Sequence, residues 1–203
     1  MPLNLWIVRH TPITHVCNRN QAPFLTLCQA IGSRPPNHSQ MIETTIQTKS
    51  LKLIQKTLEE VRAWVYAMDP SEKAQLSAEW MAQLHASTST DAWKHGFTLV
   101  HRHGDIVVGH AGFKAPPAAD GMVEIAYGVN PDHQGRGYAT EAAQALVAFA
   151  FSSGRVRVVR AHTLPESNAS KRVLTKCGFR HVGEVIDPDD GLVWRWEKHN
   201  EAA

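Results

Sequence analysis

Gln134-Gly135-Arg136-Gly137-Tyr138-Ala139 places two glycines and an arginine directly before an apolar stretch with helical spacing. Glycine tolerates positive φ and lets main-chain N–H groups approach a ligand closely. The first turn of a helix offers N–H donors without intrahelical partners, together with a partial positive charge. Both suit an anion such as a diphosphate. Arg136 adds a mobile cation to the same loop, so the combination reads as a diphosphate cradle. A Walker loop would need Gly-Lys-Ser/Thr, but Gly137 is followed by Tyr138-Ala139. A dinucleotide fingerprint would need a third glycine where Thr140 stands.

Such a cradle needs a strand before it and a helix after it, and the neighbouring residues supply both. In residues 123–129, Val123, Ile125, Tyr127 and Val129 alternate with Glu124, Ala126 and Gly128, so the two sets occupy opposite faces of a strand. Asn130-Pro131 ends it. Residues 140–152 carry Ala142, Leu146, Phe149 and Ala150 as a broad apolar stripe, predicting a buried amphipathic helix stopped by Gly154. A β-rich run at 156–162 reads as a central strand. A helix over 168–177 is closed by Gly178, and 192–197 reads as a last strand carrying Trp194 and Trp196.

Upstream, a strand is expected at 50–55. Thr57 with Glu60 three residues on forms a capping box ahead of Leu58, Val61, Val65 and Met68. A second helix follows Pro70-Ser71, residues 86–95 read as a loop, and strands at 97–101 and 106–113 flank His103-Gly104-Asp105 as a hairpin. The pattern is mixed α/β without an internal repeat.

Composition bounds the possibilities. A net charge of +2, from 21 basic and 19 acidic residues among 203, argues against a nucleic-acid binder. Hydrophobic residues at 43% supply a sizeable core. Cys17, Cys28 and Cys177 form no CxxC pair, and a reduced, cytoplasmic protein is expected. The twelve histidines form no HExxH or Cys/His cluster, so no metal is expected. No apolar run approaches the roughly 20 residues of a membrane span. Residues 1–40 hold no Asp or Glu and contain a Pro35-Pro36 break; they are expected to be a poorly ordered N-terminal extension, with one domain over 41–203.

Three ordered motifs resemble those of the GNAT superfamily of acetyltransferases, over about residues 45–197. Gln134, Gly137 and Ala139 match its Gln-x-x-Gly-x-Ala acetyl-CoA signature. Residues 168–179, ending in Gly178-Phe179, resemble its second signature helix. Glu124-Ile125-Ala126-Tyr127-Gly128-Val129 resembles the Glu-Ile-Gly-Tyr strand of the branch that includes ribosomal-protein N-terminal acetyltransferases.

The resemblance implies an α/β GNAT fold, with a mixed, mostly antiparallel sheet flanked by helices. It also implies an N-acetyltransferase that moves the acetyl group of acetyl-CoA to a primary amine, either a protein N-terminus or a small molecule, by direct attack. On that reading Gln134, Gly135, Arg136, Gly137, Tyr138 and Ala139 hold the pyrophosphate, and Asn168 contacts CoA. The main chain of Tyr127–Val129 pairs with pantetheine and supplies an oxyanion donor. Glu124 is the implied base, and Ser170 is the remaining hydroxyl that could return a proton to the thiolate. Leu174 stands where many members carry a tyrosine acid, and Ser167 where they carry asparagine. The vacant tyrosine position keeps a second reading open, a non-catalytic acetyl-CoA-binding module. A monomer or homodimer is expected. Asp69, Glu72, Asp91, Asp187, Asp189 and Asp190 are the carboxylates that could attract a cationic acceptor.

Overall fold

Local signals start most of the elements in the computed structural model, which describes residues 44–201 apart from 75, 77, 167–168 and 188–189. The expected extension over 1–40 and the expected contact at Asn168 lie outside the described residues. A short strand β1 (Thr45–Gln47) turns into β2 (Leu51–Gln55). Helix α1 (Leu58–Ala67) begins at Thr57, whose side chain accepts from the Glu60 N–H while the Glu60 carboxylate accepts from the Thr57 N–H. This capping box satisfies two donors at once. Helices α2 (Pro70–Lys73) and α3 (Ala78–Ala86) follow. Residues 86–95 are not all loop, because Asp91 caps a further short helix, α4 (Ala92–His95).

The remaining elements are β3 (Phe97–His101), β4 (Val107–Phe113), β5 (Met122–Val129), a 3-10 turn (Pro131–His133), α5 (Tyr138–Ser152), β6 (Val158–Thr163), α6 (Ala169–Lys176), β7 (Arg180–Asp187) and β8 (Gly191–His199). The strands form one eight-stranded sheet in the order β1-β2-β3-β4-β5-β6-β8-β7. All neighbours are antiparallel except β5 and β6. That parallel pair follows from connectivity, since α5 is the crossover a parallel return requires.

Leu146, Ala142, Ala143 and Ala150 of α5 are fully buried in one core with Leu51, Leu53, Phe97, Leu99, Val123, Ile125 and Val159 of the sheet. Leu58, Val61, Val65 and Leu84 form a separate small cluster joining α1 and α3. Glu141, in the first turn of α5, reaches across to the turn between β1 and β2. Its Oε1 accepts from the N–H groups of Ser50 (2.5 Å) and Leu51 (3.2 Å) and from the Thr48 hydroxyl. Burial alone would raise its pKa, but these donors outweigh burial and hold it below the usual value.

Two glycine contacts set how closely β4 approaches its neighbours. A Cβ on Gly109 would lie 2.1 Å from the Gly128 carbonyl oxygen of β5, and one on Gly112 would lie 2.9 Å from the Gly96 Cα. A side chain at either position would push elements apart.

Candidate active site

The cradle is an open turn. Residues 134–137 are exposed, and Gly135 and Gly137 have φ of 75° and 85°. A Cβ on either would meet nothing within 4 Å, so the left-handed backbone, not crowding, asks for glycine there. Gly137 caps α5 and has no side chain to offer, so the cap itself leaves the donors of the first turn open. The Tyr138 side chain is buried, with its ring 5.7 Å from that of His101, and Ala139 packs on the core. These two residues present main-chain N–H groups at the cradle while their side chains anchor the helix. Gln134 ties the turn to the strand, its Nε2 donating to the Val129 carbonyl at 2.9 Å. The exposed Arg136 donates to the Asp132 carbonyl at 3.2 Å.

A gap in the sheet runs from this turn. Strand β5 pairs with β6 only at Met122↔Val158, Val123↔Val159 and Glu124↔Arg160. Beyond Glu124, β5 stays paired with β4 from Ile125 to Val129, and β6 stays paired with β8 as far as Thr163. The parallel strands therefore part just past Glu124, leaving the β6-facing edge of Ile125–Val129 without a ladder partner. Five strand steps separate Glu124 from Val129, about 17 Å at 3.3 Å per residue. The gap is a slot with the cradle at one end and Glu124 at the other.

On the helix side of β5, the buried Tyr127 hydroxyl hydrogen-bonds Ser170 in the first turn of α6. Burial pushes the Tyr127 pKa up, and the nearby Cys177 adds to the shift. The phenol therefore holds its proton throughout the neutral range. Cys177 is buried and its own pKa is raised by burial, as for a small packing residue and not a thiolate nucleophile. Leu174 is fully buried in the core.

On the opposite face, Glu124 Oε1 lies 2.6 Å from Lys114 Nζ and accepts from His162 Nδ1 at 3.0 Å. The Arg195 Nε in turn donates to His162 Nε2 at 3.4 Å. Burial pushes the Glu124 pKa up. The His162 hydrogen bond and the Lys114 charge outweigh burial, and the carboxyl sits below the usual carboxylate value. Glu124 is thus ionised and can only accept, so His162 carries its proton on Nδ1.

The same face holds a pocket. His110 and Gly112 of β4 and Lys114 just past its end form one row, opposite Gly128, Ala126 and Glu124 on β5. The small residues in the middle leave a depression, and a Cβ on Gly128 would meet nothing within 4 Å. About 450 Å³ of space, open solvent included, is bounded by Lys56, Val61, Trp64, Lys94, His95, Lys114 and Ala126 together with main chain of β4 and the end of α4. Two of the carboxylates expected to draw a cation are engaged elsewhere, and Asp189 lies outside the described residues. Asp69 accepts from the Ser71 N–H and hydroxyl, and Asp91 caps α4.

A family profile described as "Acetyltransferase (GNAT) domain" matches residues 49–180. The chain belongs to the GNAT acetyltransferase family. Among its relatives is the uncharacterized N-acetyltransferase p20 of Bacillus licheniformis, 29% identical over 107 residues, which are 53% of this chain and 60% of that one. The chain thus spans about 60% of the length of this curated relative. Solved structures share the fold: a GNAT-family protein from Bordetella pertussis (24% identity, TM-score 0.56, covering 76% of this chain and 99% of that one). RimL, a ribosomal L7/L12 acetyltransferase solved with coenzyme A, aligns at TM-score 0.58 and 15% identity, over 79% and 100% of the two chains.

Within this GNAT domain the structure brings the cradle residues 134–139 to one end of the slot, beside Val129. It sets Glu124 and Ser170 on opposite sides of β5. Lys114, His162 and Arg195 complete the site without having been picked out from the sequence. Among the described residues no group of three His, Cys, Asp or Glu side chains could hold a metal ion, and no helix is long and apolar enough to cross a membrane.

Proposed function

We propose that the protein is an acetyl-CoA-dependent N-acetyltransferase acting on a primary amine, a small molecule or a protein N-terminus. The observation that carries this reading is the parting of β5 and β6 immediately beside an open, glycine-shaped helix start. The N–H groups at the start of α5 and Arg136 would hold the pyrophosphate, and the unpaired edge of Tyr127–Val129 would receive the pantetheine amides. The thioester would then end near Glu124.

Direct transfer needs little more than alignment. The amine nitrogen attacks the thioester carbon, the tetrahedral oxyanion takes a hydrogen bond from a β5 main-chain N–H, and the C–S bond breaks. Holding the two reactants in line supplies several kcal/mol of the barrier reduction, and an oxyanion donor supplies about 3 kcal/mol. The substrate ammonium must lose a proton first. Glu124, ionised and held by Lys114 and His162, is the proposed acceptor of that proton, directly or through water. Ser170, paired with the proton-bearing Tyr127 hydroxyl, is the proposed donor to the departing thiolate.

The experiment is thiol release from acetyl-CoA with a panel of primary amines, alongside calorimetric titration with CoA. Amine-dependent release together with saturable CoA binding is expected, and no association with CoA would end the proposal. Leu174, buried in the core where many members carry a tyrosine acid, favours one second reading, a module that binds acetyl-CoA without turnover. Saturable binding with no release across the panel would select it.

A further inference from the structure

We propose that the acceptor is anionic as well as an amine: it carries a carboxylate or phosphate that docks against Lys56 and Lys94 while its amino group lies beside Glu124. The inference rests on the transferase reading and names the acceptor class for that site.

The charge of the pocket wall carries it. Three lysines, Lys56, Lys94 and Lys114, line the space, and among the described residues no aspartate or glutamate does. His95 and His110 add no charge at neutral pH. Burial lowers the pKa of both, and that of His110, beside Lys56, falls to about 4. Each carboxylate seen to act on these lysines is itself matched, weakly paired or hydrogen-bonded elsewhere. Glu124 is matched by Lys114 at 2.6 Å. Asp91 reaches Lys94 only at 3.9 Å, with both side chains substantially exposed, so that pair is weak. Glu60 acts on Lys56 through space, but its carboxylate is hydrogen-bonded to the Thr57 N–H in the capping box.

Lys56 itself is placed unusually for a lysine. Its Nζ lies 5.5 Å from the centre of the Trp64 ring, and burial lowers its pKa to about 8, partly offset by Glu60. A desolvated ammonium on a pocket wall gains most from an anion placed against it. Charge is thus divided along this face. Glu124 lies just outside the pocket wall, held by Lys114 of that wall, and suits the ammonium of an acceptor, while Lys56 and Lys94 within the wall suit an anionic group. Such a ligand is amino-acid-like, with both charges on one small molecule or at one acidic chain end.

Two measurements test this. The first compares acetylation of phenylalanine with phenylalaninamide, and of O-phosphoserinamide with serinamide, so that the two arms separate carboxylate from phosphate. The anionic member of at least one pair should be favoured at least about tenfold in kcat/KM, the scale of a charge-assisted contact. That ratio should fall towards one in Lys56→Gln and in the more exposed Lys94→Gln. The second needs no turnover: phenylacetate and phenylacetamide are titrated into the protein, followed by NMR. Saturable binding of phenylacetate alone, lost in the same variants, is expected. Turnover that prefers the neutral amines, or equal binding of both fragments, overturns the proposal while leaving the transferase reading intact. Lysine-dependent fragment binding without acetylation of any amine supports the anion site and counts against the transferase reading.

Discussion

Glu124 is a better-prepared group than an isolated strand carboxylate, and its preparation limits what it can do. The His162 Nδ1–H and the Lys114 ammonium share one of its oxygens and keep the pKa below the usual glutamate value of 4.5. A base works best when its pKa lies near the working pH, so Glu124 should act at the modest end of the range for such groups. Glu124→Gln is expected to lower kcat about 10²-fold while CoA affinity stays near that of the unsubstituted protein. The pH dependence follows from the direction of the shift. Because the folded pKa is depressed, Glu124 stays ionised above 4.5, so its own titration contributes no acid limb between pH 6 and 9. A rate that rises with pH in that window then reports other groups, the substrate amine foremost. An unchanged kcat in the variant would remove Glu124 from proton transfer. A residual acid limb that vanishes in Glu124→Gln would contradict the depressed pKa.

At the scale of elements, β4 and β5 hold two glycines with opposite duties. A methyl on Gly109 would stand 2.1 Å from the Gly128 carbonyl oxygen and 2.9 Å from the Val129 Cα, so Gly109→Ala must separate the strands. Overpacking of this kind costs about 1–3 kcal/mol, which predicts a Tm lowered by roughly 2–12 °C. A methyl on Gly128 meets nothing, so Gly128→Ala should leave Tm unchanged or slightly higher. It should nevertheless slow turnover, because the methyl protrudes on the Glu124 face. Thermal melts of both variants decide the matter, and equal melting temperatures would refute the assignment.

The same elements show what the chain made legible before any coordinates. The Thr57 capping box, the alternation across 123–129 and the Gly154 stop after Ser152 are local signals, and each marks an element in the structure. Strands β1 and β7 escaped, one because it spans only Thr45–Gln47, the other because an edge strand carrying Arg180, His181 and Glu184 lacks a hydrophobic face. The cradle was readable because one loop holds all its parts. The Glu124 network was not, because its members come from β4, β5, β6 and β8. His162 reaches Glu124 only because Glu124 is registered against Arg160, two residues away on the same face. Register across a parallel pair is a tertiary fact that no single strand encodes. The lysine-lined pocket was hidden for the same reason, and of the acidic residues that stood out in sequence Asp91 caps α4 and Asp69 accepts from Ser71.

For the whole molecule, the parting of β5 and β6 means that the eight-stranded sheet is joined across its middle by only three residue pairs. The first five strands and the last three are also held by the Glu124–His162 contact, by α5, whose buried face spans the core, and by α6 packed beside it. A ligand lying in the slot would add hydrogen bonds where the ladder is interrupted. Binding to the folded state alone stabilises it by RT ln(1 + [L]/Kd), about 2.7 kcal/mol at a hundredfold excess over Kd. For a domain of this size that is a Tm increase of roughly 5–10 °C. Acetyl-CoA and CoA should both produce it, and hydrogen exchange should slow most in β5 beyond Glu124 and in the first turn of α5. ATP shares the phosphates but has no pantetheine arm to fill the slot, so it should protect much less. Protection by ATP equal to that by CoA would mean that the cradle alone carries binding and that the gap between β5 and β6 is a feature of the fold without a ligand of its own.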